Sequence, residues 1–153
     1  MPVKFLATLL DALFQLTCLP LNDAYPIIID LLGNTQNIYS ITQEGTQEDD
    51  GKVSILASLD MNQKLYIEKK GGCCLTYHCL SVETAEPALN DSGMLGEITD
   101  LFTKMNVSIL CTSTFNKNFI FFGEQDYSEV VEWLNNDENY EFEIEERVTH
   151  GRI

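Results

Sequence analysis

The 153 residues, 44% of them apolar, suffice to bury one domain core or two very small ones sharing a sheet. Nine Lys and Arg stand against 24 Asp and Glu, a net charge of -15. That field repels phosphate backbones and anionic lipid headgroups, which excludes nucleic acid and membrane surfaces as partners. It favours cationic or zwitterionic small molecules or the basic faces of other proteins, with a simple solubility role for the surplus acid as the plainer alternative.

The opening stretch MPVKFLATLLDALFQLTCLP carries one lysine, has Asp11 in its middle and lacks a small-residue cleavage site, so it does not read as a signal peptide. Nor does the chain contain the run of about 20 uncharged residues that a membrane span needs. From Phe5 to Cys18 two periods compete. Leu6, Leu9, Leu10, Leu13 and Phe14 fit a helix face, whereas Leu6, Leu10, Ala12, Phe14, Leu16 and Cys18 fit one face of a strand. Pro20 ends the element in either case. Asn22 and Asp23 then offer a cap for a short helix with Tyr25, Ile28, Ile29, Leu31 and Leu32 on its apolar face and Gly33 as its C-terminal glycine. Runs 37–43 and 53–59 read as strands joined by the acidic loop EGTQEDDG, and Lys64–Ile67 as one more short strand before a break at 69–72.

Cys18, Cys73, Cys74, Cys79 and Cys111 are an odd count without framework spacing, which points to reduced thiols in the cytoplasm. Cys73, Cys74, His78 and Cys79 lie close in sequence but lack a second C-x-x-C, so no zinc site is expected, and no cofactor.

The second half is more regular. Cys74–Val82 alternates as a strand and TAEPALNDS is a loop. Leu95, Ile98, Leu101, Phe102 and Met105 give a helix over 93–105, with Asp91 or Ser92 as its cap. Two strands follow at 107–115 and 118–123 around a tight turn at Asn116 and Lys117, then a helix over 127–134 capped by Asp126, with Val130, Val131 and Leu134 inward, and a strand over 140–148. The order β-α-β-β-α-β is the split unit whose four-stranded antiparallel sheet carries both helices on one face. The first half repeats it with one helix missing, which suggests an α+β chain made by internal duplication, with a degenerate first unit over 1-70 and a second over 71-153.

The stretch SGMLGEITDLFTKMNVSILCTSTFNKNFIFF resembles the ACT domain, and in particular the ACT domains of the CASTOR arginine sensors. The run IYSITQE, the acidic loop, the segment LSVETAEPALN and TFNKNFIFFGEQD fall in the order found in one half of a CASTOR chain, which holds two ACT domains. The resemblance covers nearly the whole chain, is most specific over 91–126 and is weak before residue 37. It implies a ferredoxin-like βαββαβ ACT fold in two tandem copies, and it makes Phe5–Cys18 one long strand.

The resemblance also implies a site. In the family an amino acid sits between two ACT domains, so the loop and first helical turn would be Asp91, Gly93, Met94 and Leu95, the strand-end residues Thr114, Phe115 and Asn118, and the facing strand Ser108 and Ile109. First-turn amides suit a carboxylate, Asp91 suits an ammonium or guanidinium, and Phe115 can wall an aliphatic stem. One departure is Asn118, which stands where the family's arginine sites carry an acid, and this weakens arginine as the ligand. The other is length: the family places its site between two halves of one chain, so here two copies must meet.

His78 in a strand and His150 near the C-terminal end lack an adjacent nucleophile and acid, and GGCC lacks the spacing of a phosphate loop, so no enzyme is expected. The expectation is a cytoplasmic, CASTOR-like regulatory module of nutrient (TOR) signalling, homodimeric or joined to other ACT-bearing proteins, that binds an amino acid and controls a protein partner. The alternative is an ACT-fold interaction subunit without a metabolite.

Overall fold

A computed structural model describes residues 5–33, 38–45, 51–84, 91–114, 117–137 and 141–144. The elements in chain order are β1 (Phe5–Leu9), β2 (Phe14–Pro20), α1 (Leu21–Leu32), β3 (Tyr39–Glu44), β4 (Lys52–Ala57), α2 (Met61–Lys69), β5 (Leu75–Thr84), α3 (Asp91–Lys104), β6 (Ile109–Ser113), β7 (Asn118–Gly123), α4 (Tyr127–Asn136) and β8 (Glu141–Ile144). The chain is α+β. No described helix is long and apolar enough to cross a membrane.

The elements form two compact units, one from Met1–Ala12 with His78–Ile153 and the other from Leu13–Tyr77. The division is therefore not the sequential one expected at 70/71. The first strand leaves its neighbours in sequence and joins the C-terminal unit.

In the 13–77 unit the order is β2-α1-β3-β4-α2-β5, and its strands pair as β3-β4-β2-β5. All three pairings are antiparallel, with Tyr39 opposite Ala57, Gln15 opposite Ala57 on the other side, and Phe14 opposite Tyr77. This is a complete βαββαβ unit. The helix expected to be missing is present as α2, and the strand expected at Lys64–Ile67 lies inside it. Asp60 starts α2 with a reciprocal cap: its carboxylate accepts from Gln63 N at 2.8 Å, and its own N–H donates to Gln63 Oε1 at 2.9 Å. The helix ends where Gly71, at φ 80°, reverses the chain, with Gly71 N donating to Glu68 O and Gly72 N to Ile67 O. Only Ile67 of α2 is buried. Helix α1 begins at Leu21, so Asn22 and Asp23 lie in its first turn rather than capping it; no side chain caps it, and Gly33 closes it at an ordinary φ of -78°. The unit's core gathers Leu19, Ala24, Ile27, Leu31, Val53, Ile55, Ala57, Leu59 and Ile67. Gln15, 2% exposed, is satisfied there by accepting from Leu59 N at 2.8 Å.

The other unit also runs βαββαβ, as β5-α3-β6-β7-α4-β8, and adds β1. Its strand order is β6-β7-β5-β1-β8, so five strands stand where four were expected. Strand β1 is antiparallel to β5, with Leu9 opposite Leu80, and parallel to β8, with Ala7 opposite Phe142. Its insertion corrects the expected all-antiparallel sheet. The long strand expected over Phe5–Cys18 is two strands: Leu9 is opposite Leu80 and Phe14 is opposite Tyr77, so the four residues 10–13 span only two positions of β5 and the ladder breaks. Leu9, Leu80, Val82, Ile98, Phe102, Val107, Ile120, Phe122, Val130 and Leu134 pack with Ala7 as this unit's core. Every side chain of β7 is buried, so the strand is covered on both faces. Val131 packs partly against this core beside Val130 and Leu134, and Asp126 precedes α4 without a side-chain capping bond. Expected strand residues 145–148 and the expected turn residue Asn116 lie outside the described residues.

Candidate functional site

Helix α3 takes its register from Ile98 and Phe102, which are 4% and 0% exposed. It starts at Asp91, two residues before the expected start, so Asp91 and Ser92 belong to the helix itself. Gly93 and Met94 lie in its first turn; the side chains of 91–94 are outside the described residues. Leu95 is partly buried.

The C-terminal end of α3 is closed by Asn106, whose φ of 58° is left-handed. Asn106 N donates to Thr103 O and Val107 N to Phe102 O, each at 3.0 Å, while Val107 and Phe102 join the same core. The turn delivers Ser108, exposed and just ahead of β6, and Ile109, partly buried at its first position. The strand expected from Val107 is therefore shorter at this end by two residues.

Strand β6 then carries the chain to a hairpin. Thr114 N donates to Lys117 O at 2.8 Å, and Lys117 N donates to Thr114 Oγ1 at 3.2 Å. Thr114 is exposed, and Phe115 lies outside the described residues. Ser113 is the cross-strand partner of Asn118, and its hydroxyl donates to Asn118 Oδ1 at 2.5 Å. Asn118 is 8% exposed, so this amide is a buried, engaged group.

Eight of the nine residues are described, and they are spread along the chain in three sets. A 14-residue α3, roughly 20 Å long, separates Asp91, Gly93, Met94 and Leu95 from Ser108 and Ile109, and β6 separates Ile109 from Thr114 and Asn118. One copy of this unit therefore keeps the start of α3 and the Ser108–Ile109 segment at opposite ends of the helix. Ser113 and Asn106 were not singled out from the sequence. Ser113 was legible in principle, since hairpin register pairs the residues flanking a four-residue turn, and Asn106 as an Asn between a helix and a strand.

His78 on β5 stacks against Phe122 at 5.7 Å between ring centroids and meets Tyr127 in a tilted contact at 4.3 Å. Burial lowers its pKa, with Glu124 opposing in part, so the ring is held as a neutral aromatic plate. Burial pushes the Cys79 thiol up to about 12, which leaves it inert at neutral pH. Among the described residues no three His, Cys, Asp or Glu side chains are arranged to hold a metal ion.

The surface of α1 and α2 is unusually apolar. Tyr25, Ile29 and Leu32 on α1 and Met61 and Leu65 on α2 are all exposed, Ile29 and Met61 by about two thirds. The two helices are tied by Tyr66 Oη donating to Asp23 O at 2.7 Å and by Lys70 paired with Asp23 at 3.8 Å. An open groove of about 540 Å³ runs along α2, lined by Asn62, Leu65, Tyr66, Glu68 and Lys69, none of them among the nine.

No family model and no curated protein matches the sequence. Among solved structures the chain is similar to the crystal structure of Atu0741 from Agrobacterium tumefaciens, at 14% identity, over 94% of this chain and 95% of that one, with a TM-score of 0.61. It is also similar to VC0802 from Vibrio cholerae, a protein of unknown function described as a possible transport protein, at 9% identity, over 84% and 85% of the two chains, with a TM-score of 0.56. At such identities the likeness carries the α+β fold alone.

Proposed function

We propose that this chain is a non-catalytic, cytoplasmic regulatory module of the ACT type, built from two ferredoxin-like units, that binds an amino acid and controls a protein partner in the manner of the CASTOR sensors. The observation that supports the reading is that both units run βαββαβ, joined through one strand, β5, which ends the first and begins the second. The ligand's carboxylate would meet the first-turn amides of α3 around Gly93 and Met94, and its positive group Asp91. Since Ser108 and Ile109 lie at the far end of α3 from these, a second copy supplies the facing strand, and the active form is a homodimer with the ligand at the contact.

The engaged Asn118 amide points away from arginine, because it offers no carboxylate to a guanidinium and its oxygen already accepts from Ser113. A neutral amino acid fits better. The test is calorimetric titration of wild type, Asp91→Ala and a bulky replacement of Gly93 with arginine and with a neutral amino acid. Binding to wild type that is lost in both variants supports the site; equal binding by all three places it elsewhere.

The exposed apolar residues of α1 and α2 favour a second reading, an interaction subunit that binds no metabolite. A thermal-shift screen of the twenty amino acids separates the two. A ligand at about 100 times its dissociation constant stabilises by roughly 2.7 kcal/mol, so silence across the panel at millimolar concentration favours the interaction subunit.

A further inference from the structure

The thiols of Cys18 and Cys73 are both exposed, on segments the fold lays side by side. Strand β2 pairs antiparallel with β5 in the register Phe14–Tyr77, Gln15–Thr76, Leu16–Leu75. Continued by one step, that register sets Thr17 against Cys74; by two, Cys18 against Cys73; by three, Leu19 against Gly72. Two observations support the continuation past the last ladder pair. The Thr17 hydroxyl, 3% exposed and without a well-formed hydrogen bond, nevertheless lies close enough to the Cys74 thiol to favour its ionised form. A Cβ placed on Gly72 would come within 2.9 Å of Leu19 Cδ2. Cys73 is bracketed by these two contacts. The burial alternates accordingly: Thr17 and Leu19 are buried and Cys74 packs on the core, while Cys18 and Cys73 face out.

We propose that Cys18 and Cys73 are a redox-modification site, a cross-strand dithiol that closes to a disulfide with a low-molecular-weight disulfide as oxidant. Directly opposed residues of an antiparallel pair stand about 4.5–5.5 Å apart at Cα, inside the range of roughly 4.4–6.8 Å that a disulfide spans. One protein thiolate attacks a sulfur of the small disulfide, forming a mixed disulfide and releasing one small thiol. The second protein thiolate attacks the mixed disulfide at the protein sulfur and releases the other small thiol. Two protein thiols are oxidised, one small disulfide is reduced to two thiols, and the two protons end on those thiols. Cys74 is the competing partner by sequence, but adjacent residues of an extended chain point to opposite faces. Burial first, and then the neighbouring Cys73, also push its thiol pKa up, which makes it the poorer attacking group. The bond would fasten β2 to the segment after the Gly71 reversal.

The experiment treats the full chain with millimolar oxidised glutathione, blocks remaining thiols, and maps non-reduced peptides by mass spectrometry. The expected product is lighter by about 2 Da before blocking, contains a Cys18–Cys73 linked peptide, persists in Cys74→Ser, and is lost in Cys18→Ser and in Cys73→Ser. A wild-type chain that gains only glutathione adducts or does not react, a Cys73–Cys74 link, or an undiminished product in Cys18→Ser overturns the proposal. The wild-type peptide map decides the pairing even where a variant folds poorly.

Discussion

Ser113 donates its hydroxyl hydrogen to Asn118 Oδ1 across the β6–β7 hairpin, at 2.5 Å, between directly opposed residues. Asn118 is nearly fully buried, so its oxygen has little water to fall back on. Ser113→Ala should destabilise the chain by about 1–3 kcal/mol, the cost of a buried acceptor left unpaired. Urea denaturation checks it, and a change below a few tenths would mean that water replaces the hydroxyl.

Asn118→Asp tests the proposed ligand preference. A carboxylate there keeps the bond from Ser113 and adds a charge that makes a hydrogen bond to guanidinium roughly twice as strong. Titration should show the variant gaining affinity for arginine over a neutral amino acid. An unchanged preference would remove residue 118 from the site.

Asn106 holds a left-handed φ of 58°. Asn106→Ala should cost about 1 kcal/mol, since a Cβ without a polar side chain pays the full penalty of that conformation, while Asn106→Gly should be neutral or slightly stabilising. The comparison of midpoints in urea reads the difference, and equal losses in both variants would assign the effect to a side-chain contact instead.

Gly72→Ala should be disruptive, because the new methyl meets Leu19 Cδ2 and Ile67 Cγ2 at 2.9 Å in a packed core. Overpacking of this kind costs typically 1–3 kcal/mol. Thermal unfolding checks it, and a melting point equal to wild type would mean that the two side chains yield without cost.

The pKa of His78 is lowered by burial, so the folded chain binds its proton less readily than the unfolded chain. Its contribution is complete above the ordinary histidine value near 6.5 and declines as pH falls below that value towards the depressed folded one. His78→Phe should flatten this part of the stability profile. Glu124→Gln should steepen it, since Glu124 partly supports the charged ring. Denaturation series from pH 5 to 8 on the three chains give the answer, and three parallel profiles would refute it.

The second half was largely legible in the sequence, because a helix period gives way to alternation within a few residues of Asn106 and each apolar set meets one core. Helix α2 was not. It buries only Ile67, so no 3.6 period shows, and its one strong signal is the Asp60–Gln63 cap rather than the apolar pattern. The break between β1 and β2 has no Gly or Pro to mark it, and the partners of β1 at Leu80 and Ile144 are far off in the chain. Of the candidate site, the sequence placed the helix start to within two residues. That Asn118 is occupied by Ser113 depends on burial and register, which residue type alone does not express.

The insertion of β1 between β5 and β8 also sets an order of assembly. During synthesis β1 is made before its partners and waits for residues 80–84, and for 141–144 to complete its second edge. The 13–77 unit holds its own strands and helices and can close meanwhile. Once Phe14 and Tyr77 are paired, Leu9 and Leu80 are joined by a short path instead of a long free loop, and the entropy of bringing them together falls. Closure of the 13–77 unit therefore shortens the search of β1 for its partner, and lesions in that unit's core should delay the capture of β1 as well as weaken their own surroundings.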